Sequence, residues 1–314
     1  MTLIIADDPA AHPPTGRRPE PPAPVGRGRL VLRRLLRNKL AVSGAVVVVL
    51  LYLLAFSYSW YWPWNYTMSD SNAYLSPPTG THWFGTDKDG IDMYAQVLRG
   101  LQKSLTIGLL VGVISTSLAA IVGSVAGYFR GIGDRVLMWL VDLLLILPNF
   151  LILSVLSPSF RGRSWLIFVA LIAAFSWMIT ARIVRGMTMS LREREFVTAA
   201  RLMGVPAWKV IGRHILPQLS SLLIADATVN VAVAILTEAS LSYFGFGIQL
   251  PDVSLGTLIA GGTGSAVTFP WLFFIPAGFL VLTVLAINLL GDGLRDALDA
   301  NSGRAHRHRR KNAR

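Results

Sequence analysis

Three carboxylates stand inside apolar stretches of this 314-residue chain: Asp142, Asp226 and Glu238. A charge at the centre of a membrane-length apolar segment costs about 2.5–3.5 kcal/mol on insertion scales, so each must face protein or water. Asp226, Asn230 and Thr237 fall at i, i+4 and i+11, on one stripe of a helix, with Ser240 nearly in line. Such a stripe can line a water-filled path for a polar solute, or it can tie helices together by hydrogen bonds. Both readings stay open for Asp226 and Asn230. Glu238 lies just off the stripe and suits a structural bond, and Asp142, six residues before Pro148, suits a local cap or pair. The run Asp87-Lys88-Asp89-Gly90-Ile91-Asp92 alternates carboxylates as a calcium loop does, but with the wrong spacing and no distal Glu, and reads as an exposed turn. His306 and His308 have a spacing a metal could use, although the simpler reading is a solvated basic end near anionic lipid.

Nothing else in the chain points to catalysis. It has no cysteine, hence no disulfide, thiolate metal site or Cys nucleophile. Gly-Lys does not occur, so there is no Walker A phosphate cradle, and His-Glu-x-x-His, Gly-x-Ser-x-Gly and Gly-x-Gly-x-x-Gly are also missing. A transport or scaffold role leads.

The elements that must carry these residues are membrane helices. Lys and Arg number 29 against 17 Asp and Glu, for a formal charge of +12, yet 53% of residues are apolar and only 15% are charged. A basic nucleic-acid binder of this size would be far more polar. Six stretches reach the roughly 20 residues a bilayer crossing needs: about 40–60, 104–128, 136–156, 165–184, 222–244 and 270–290. If the six alternate, 24 of the 29 basic residues fall on one side. By the positive-inside rule both termini are then cytoplasmic. Tyr58, Trp60, Tyr61, Trp62, Trp64 and Tyr66 cluster where the first span leaves the outer face, as an interfacial belt does. Repeated Gly-x-x-x-Gly in the second span (Gly108 and Gly112, Gly123 and Gly127) is the signal of close helix packing. Pro148 and Pro276 are expected to kink their helices or to release backbone groups beside neighbours.

Outside the spans, seven of the 17 prolines lie in residues 9–24, so 1–26 reads as a disordered lead-in without a signal-peptide core. Residues 27–39 interleave Leu30, Val31, Leu32, Leu35 and Leu36 with Arg29, Arg33, Arg34, Arg37 and Lys39. This suits either a basic amphipathic helix on the inner leaflet or a cytosolic extension of the first span. Residues 300–314 form a basic tail. The six-helix domain is taken as 40–299.

The longest cytoplasmic loop, 190–217, is patterned. Ser190-Leu191-Arg192-Glu193 has the form of a capping box, which predicts a helix start after Ser190. Phe196, Ala199, Ala200 and Met203 then recur at i, i+3, i+4 and i+7 as one apolar face. Gly204 stands where a C′ glycine ends a helix, Pro206 suits the first turn of a second helix, and Pro217 marks its end. The result is a short helix-turn-helix whose small-residue face lets a partner protein approach closely.

Thr198-Ala199-Ala200, then Gly204, then nine residues to His214-Ile215-Leu216-Pro217 resembles the EAA loop of ABC importer permeases. It departs from that pattern at Thr198, usually Glu, and at His214, often Ile. Three further segments resemble peptide permeases of the OppC/DppC kind: His82–Asp92 (with Phe84 usually Leu and Ile91 usually Arg), Glu238–Gly247, and Asn288–Asp299. The run Arg185–Phe196 is most similar to oligopeptide permeases of actinobacterial type. The resemblance spans about Arg33 to Asp299.

It implies an all-α integral membrane protein with the type I ABC importer permease fold, set in the bacterial plasma membrane. It implies that Phe196, Thr198, Ala199, Ala200, Met203, Gly204, Ile215, Leu216 and Pro217 couple the chain to ATPase subunits that hold ATP and Mg, with no cofactor bound by this chain. It also implies a homologous second permease and an external substrate-binding protein. Among relatives the cargo ranges over oligopeptides, dipeptides, glutathione and nickel chelates. An ATP-independent secondary transporter would explain the spans but gives no reason for the 190–217 loop.

Overall fold

The computed structural model describes residues 27–160, 165–249 and 251–298. The expected lead-in 1–26 and basic tail 300–314, with His306 and His308, lie outside the described residues, as do Asp299, Arg161 and Arg163. What is described is helical: α1 (Arg27–Leu35), α2 (Lys39–Tyr61), α3 (Met93–Phe129), α4 (Gly131–Ile146), α5 (Asn149–Leu156), α6 (Trp165–Ser176), α7 (Met178–Arg192), α8 (Glu195–Leu202), α9 (Ala207–Val210), α10 (Leu216–Tyr243), α11 (Leu255–Thr263) and α12 (Trp271–Leu298). Four unbroken helical runs are long and apolar enough to cross a membrane, namely α2, α3, Ala207–Tyr243 and α12. Two bent pairs, α4 with α5 and α6 with α7, bring the number to six if each pair is one crossing.

The expected third and fourth spans are therefore not straight helices. The bend between α4 and α5 is 80°. Pro148 lacks the N–H that would continue the ladder, and its ring pushes the preceding residue into extended backbone; Leu147 has ψ 134°. The 46° bend at Trp177 has a different cause. There the Ser176 hydroxyl donates to the Ile172 carbonyl (2.8 Å) and the Trp177 indole to the Ala174 carbonyl (2.9 Å), so side chains take carbonyls that the ladder would use. Pro276 leaves α12 unbroken. The carbonyl it frees, Leu272 O, faces Gly262 of α11, where an added Cβ would stand 2.4 Å away.

α3 is the axis of the molecule. It begins at Met93, well before the expected 104, because Asp92 caps it (Ala95 N–H to Asp92 Oδ2, 2.8 Å) and its early charges are paired. Arg99 donates to Asp252 at 3.0 Å, and Lys103 also pairs with Asp252. The glycine pattern divides between two partners. Added Cβ atoms at Gly108 and Gly112 would meet Ile235 and Val231 of α10 at 2.6 Å, and those at Gly123 and Gly127 would meet the Ala181 and Arg185 carbonyls of α7 at 2.5 and 2.6 Å. α2 docks on α12 in the same manner, with Gly44 against Ala286 and Gly293 against Ala41.

Between α2 and α3 the chain folds into a polar cap. His82 is buried, with Nδ1 2.8 Å from Asp92 Oδ1 and Nε2 3.5 Å from Asp70, beneath the Trp64 ring. Trp62 donates its indole N–H to Asp92 Oδ2 at 2.9 Å. The Asp87–Asp92 run is a turn. Asp87 Oδ1 accepts the N–H groups of Asp89 and Ile91, and Gly90 has φ 72°. Asp92→Ala removes a helix cap worth about 1 kcal/mol and strands the Trp62 and His82 donors, each at roughly 1–3 kcal/mol when buried. The expected outcome is a thermal midpoint in detergent lower by several degrees, whereas Asp89→Ala, in the exposed turn, leaves it unchanged.

Candidate coupling surface and intramembrane polar cluster

At the end of the molecule opposite this cap, α7 closes at Arg192 and α8 opens at Glu195 after a two-residue turn. The predicted capping box is not formed, because Ser190 lies inside α7. That helix carries its ladder through the helix-favouring Leu191 and Arg192, and Arg194 is the N-cap residue of α8, without a side-chain bond. The stop at Gly204 is as expected, with φ 76°. Gly204 N–H reaches Arg201 O (3.0 Å) and Val205 N–H reaches Ala200 O (3.1 Å), the paired bonds of a Schellman motif. Pro217 does not end the second helix. A π-turn, Ile211–Ile215, widens the ladder immediately before it, Leu216 N–H bonds to Ile211 O, and Ala207–Tyr243 runs on into the membrane.

The apolar face of α8 is split. Val197 and Ala200 point inward and pack with Tyr128, Val184, Val210, Ile211, Ile215 and Leu219. Phe196, Ala199 and Met203 point outward, with Thr198 beside them. The sequence pattern placed Ala200 with the outward stripe. The structure puts it one row over, because β-branched Val197 lies on the side facing α3 and α10. Leu202 (84% exposed), Met203 (76%) and Trp208 (70%) extend the outward surface. Leu202 and Trp208 escaped the sequence reading, although an apolar residue three positions after Ala199 and a Trp after Pro206 are the signals for them. Ile215 is buried and Leu216 partly so, while Pro217 is exposed; the first two anchor the loop and do not present it. Arg130 braces the base of the loop, donating to Met189 O (3.3 Å) and pairing with Glu193 (2.8 Å).

Deeper in the molecule Asp226 sits among three helices. Both its oxygens accept from Thr180 Oγ1 of α7 at 2.9 Å; Oδ2 also accepts Asn230 Nδ2 at 2.8 Å and Thr116 Oγ1 of α3 at 3.4 Å. Asp226 and Asn230 are thus brought together. Thr237 is apart from them, its hydroxyl bonded to Val233 O of its own helix at 2.8 Å. Thr116 and Thr180 were invisible to sequence reasoning, since a lone Thr in a span has many uses. Glu238 is fully buried and accepts from Ser104 of α3 (2.9 Å) and Ser242 (2.7 Å), the structural bond expected of it. Asp142 pairs with Arg182 of α7, 40 residues on, and so across helices where a local cap or pair was expected; the buried Asp134 pairs with Arg185 (Nη2 to Oδ2, 2.6 Å), so α4 is tied to α7 twice.

The described residues thus form a bundle of membrane-length helices, two of its crossings bent, with an exposed helical loop between α7 and α10. The family described as binding-protein-dependent transport system inner membrane component matches residues 119–303, more than half the chain. The N-terminal TM domain of oligopeptide transport permease C matches residues 26–78. The chain belongs to this family of inner-membrane transport components. It is 53% identical over 277 residues (88% of this chain, 95% of the relative) to the oligopeptide transport system permease protein OppC of Mycobacterium tuberculosis. Proteins of that same name from Haemophilus influenzae and Bacillus subtilis are 38% identical over 85% of this chain and 86% of theirs, and 34% over 85% and 87%.

Proposed function

We propose that this chain is the C-type permease subunit of an ATP-binding-cassette importer that carries oligopeptides into the cytoplasm. The peptide cargo rests on the relatives named as oligopeptide permeases. Both termini and the 190–217 loop face the cytoplasm on this reading, in keeping with the charge asymmetry. ATP and Mg belong to two ATPase subunits, a homologous second permease completes the membrane path, and an external binding protein delivers the peptide.

The observation that carries the reading is the outward surface of α8. Phe196, Ala199, Leu202, Met203 and Trp208 form an apolar patch on a loop held rigidly from behind, which is what a force-transmitting joint requires. A push on α8 reaches α7 through a two-residue turn and reaches α10 through an unbroken helix. Asp226 ties those two helices to each other and to α3, so they move together as rigid bodies during alternating access. Asp226, Asn230 and Thr237 are the proposed path-side stripe of α10.

Two measurements test this. Pull-down of the tagged chain from its native membrane is expected to bring down ATPase subunits, and uptake in proteoliposomes is expected to need them; ATP-independent uptake by the chain alone overturns the proposal. Asp226→Ala is expected to lower peptide uptake roughly tenfold, equivalent to about 1.4 kcal/mol, without reducing co-purification of the complex. Lost assembly with no separate transport defect would make Asp226 a structural residue only.

A further inference from the structure

The two ion pairs that join α4 to α7 differ in their surroundings. Asp134, paired with Arg185, is closed off by the chain itself, its side chain 7% exposed. Asp142 and Arg182 are open, with side chains 55% and 48% exposed. Yet they lie about 15 Å along their helices from the ends at Gly131 and Arg192, well inside a hydrocarbon core of roughly 30 Å. Arg182 stands two residues from Thr180, the partner of Asp226, so at about 100° per residue the two side chains leave α7 on opposite flanks. Between those flanks Ile179, Ile183 and Gly186 are all exposed. The far side of α7, with Ala181, Val184 and Thr188, is seated on Gly123 and Gly127 of α3. The open face of α7 is thus bordered at one depth by Asp142 with Arg182 and, across the face, by the half-buried Asp226 and Asn230.

The charges decide what meets this face. Against acyl chains both ions would stand half-bare in hydrocarbon, the most costly place for them. A packed protein surface would strip water from a pair that is already satisfied, and dehydrating two ions can outweigh the attraction they gain. It would have to do so beside a second polar cluster on the same face. Water leaves every one of these groups solvated. We propose that the open face of α7 is a wall of the water-filled path, continuous with the α10 stripe, and that Asp142 and Arg182 are its charged site at mid-depth. On the importer reading above, on which this rests, the passing cargo is a peptide. Its termini carry an ammonium and a carboxylate, and the pair offers a counter-charge to each.

The chain has no cysteine, so single thiols can be placed in it without background. Ile179→Cys, Ile183→Cys and the buried control Val184→Cys are made in the assembled complex in native membranes. A water-soluble cationic methanethiosulfonate is applied from both sides, and labelling is read on this chain by its mass. The thiols at 179 and 183 are expected to react roughly tenfold faster than the one at 184, since reaction runs through the hydrated thiolate. Cover by lipid or by the second permease would leave all three equally slow and would overturn the proposal. Labelling needs no ATP, so its failure is distinct from a failure of ATP-driven uptake, on which the importer reading stands. Asp142→Asn/Arg182→Gln removes both charges together and strands neither. Its peptide uptake is expected to fall about fivefold, the upper end for an exposed charge contact, with thermal midpoint and co-purification unchanged. Unchanged uptake, or a fall that comes only with lost assembly, would also overturn the proposal.

Discussion

Gly204→Trp is expected to insert and assemble normally yet to lose ATP-driven peptide uptake by roughly tenfold or more, the equivalent of at least about 1.4 kcal/mol of coupling. Among the described residues, its chain neighbours aside, nothing lies within 4 Å of a Cβ at this position, so the added side chain starts into open space on the exposed loop. The backbone is the second lever. With φ 76°, a side chain other than Gly costs about 1–2 kcal/mol, and that strain falls on the two Schellman bonds that close α8. Both effects are confined to the exposed loop, while Val197, Ala200 and Ile215 behind it keep their packing. ATP hydrolysis is expected to continue without transport. Gly204→Asn is the companion, because Asn tolerates the left-handed region and has little bulk; it should keep most of the uptake. Wild-type uptake by Gly204→Trp in proteoliposomes would remove the coupling assignment.

A larger loss, of the protein itself, is expected from Gly123→Leu. The added Cβ would stand 2.5 Å from the Ala181 carbonyl and 2.8 Å from Val184 Cβ, and a carbonyl in a helix ladder cannot yield as a side-chain tip can. Overpacking commonly costs 1–3 kcal/mol, and a backbone obstacle puts this case at about the upper end or beyond. α3 and α7 must then separate along a seam that also carries Gly127 against Arg185 and Thr188. The readout is the yield of monodisperse protein in detergent, expected to fall severalfold with a lower thermal midpoint. Gly133→Leu serves as control, since among the described residues, its chain neighbours aside, nothing lies within 4 Å of a Cβ there and little change is expected. If both variants behave alike, close approach of α3 to α7 is not what the glycine provides.

How much of this was legible in the residues follows from the range of the forces concerned. The helix stop at Gly204 and the kink at Pro148 read well, because both residues act on their own backbone within a few positions, whereas the start of α3 at Asp92 did not. The start of α8 read badly too, because Ser190 competes with a helix that α7 already extends through it. Charges misled the hydropathy of the second span. Arg99 and Lys103 look like an end until Asp252, about 150 residues away, is seen to pair with them. The glycines announced close packing but not with what, and the structure gives one pair to α10 and the other to α7.

Composition, span length and charge distribution alone determined that this is a polytopic, all-helical membrane chain with a patterned loop on its basic side. Those properties depend on one-dimensional quantities: the apolar length needed to cross a bilayer, the cost of moving a positive charge across it, and the local stereochemistry of Gly and Pro. Only the tertiary structure decided that Ala200 turns inward while Leu202 and Trp208 turn outward, that Asp226 gathers hydroxyls from two other helices, and that α1 stands apart from the first span with Leu35 against Gly293 of α12. Each of these turns on which surfaces meet, and a side chain's neighbours across a helix interface have no fixed separation in sequence.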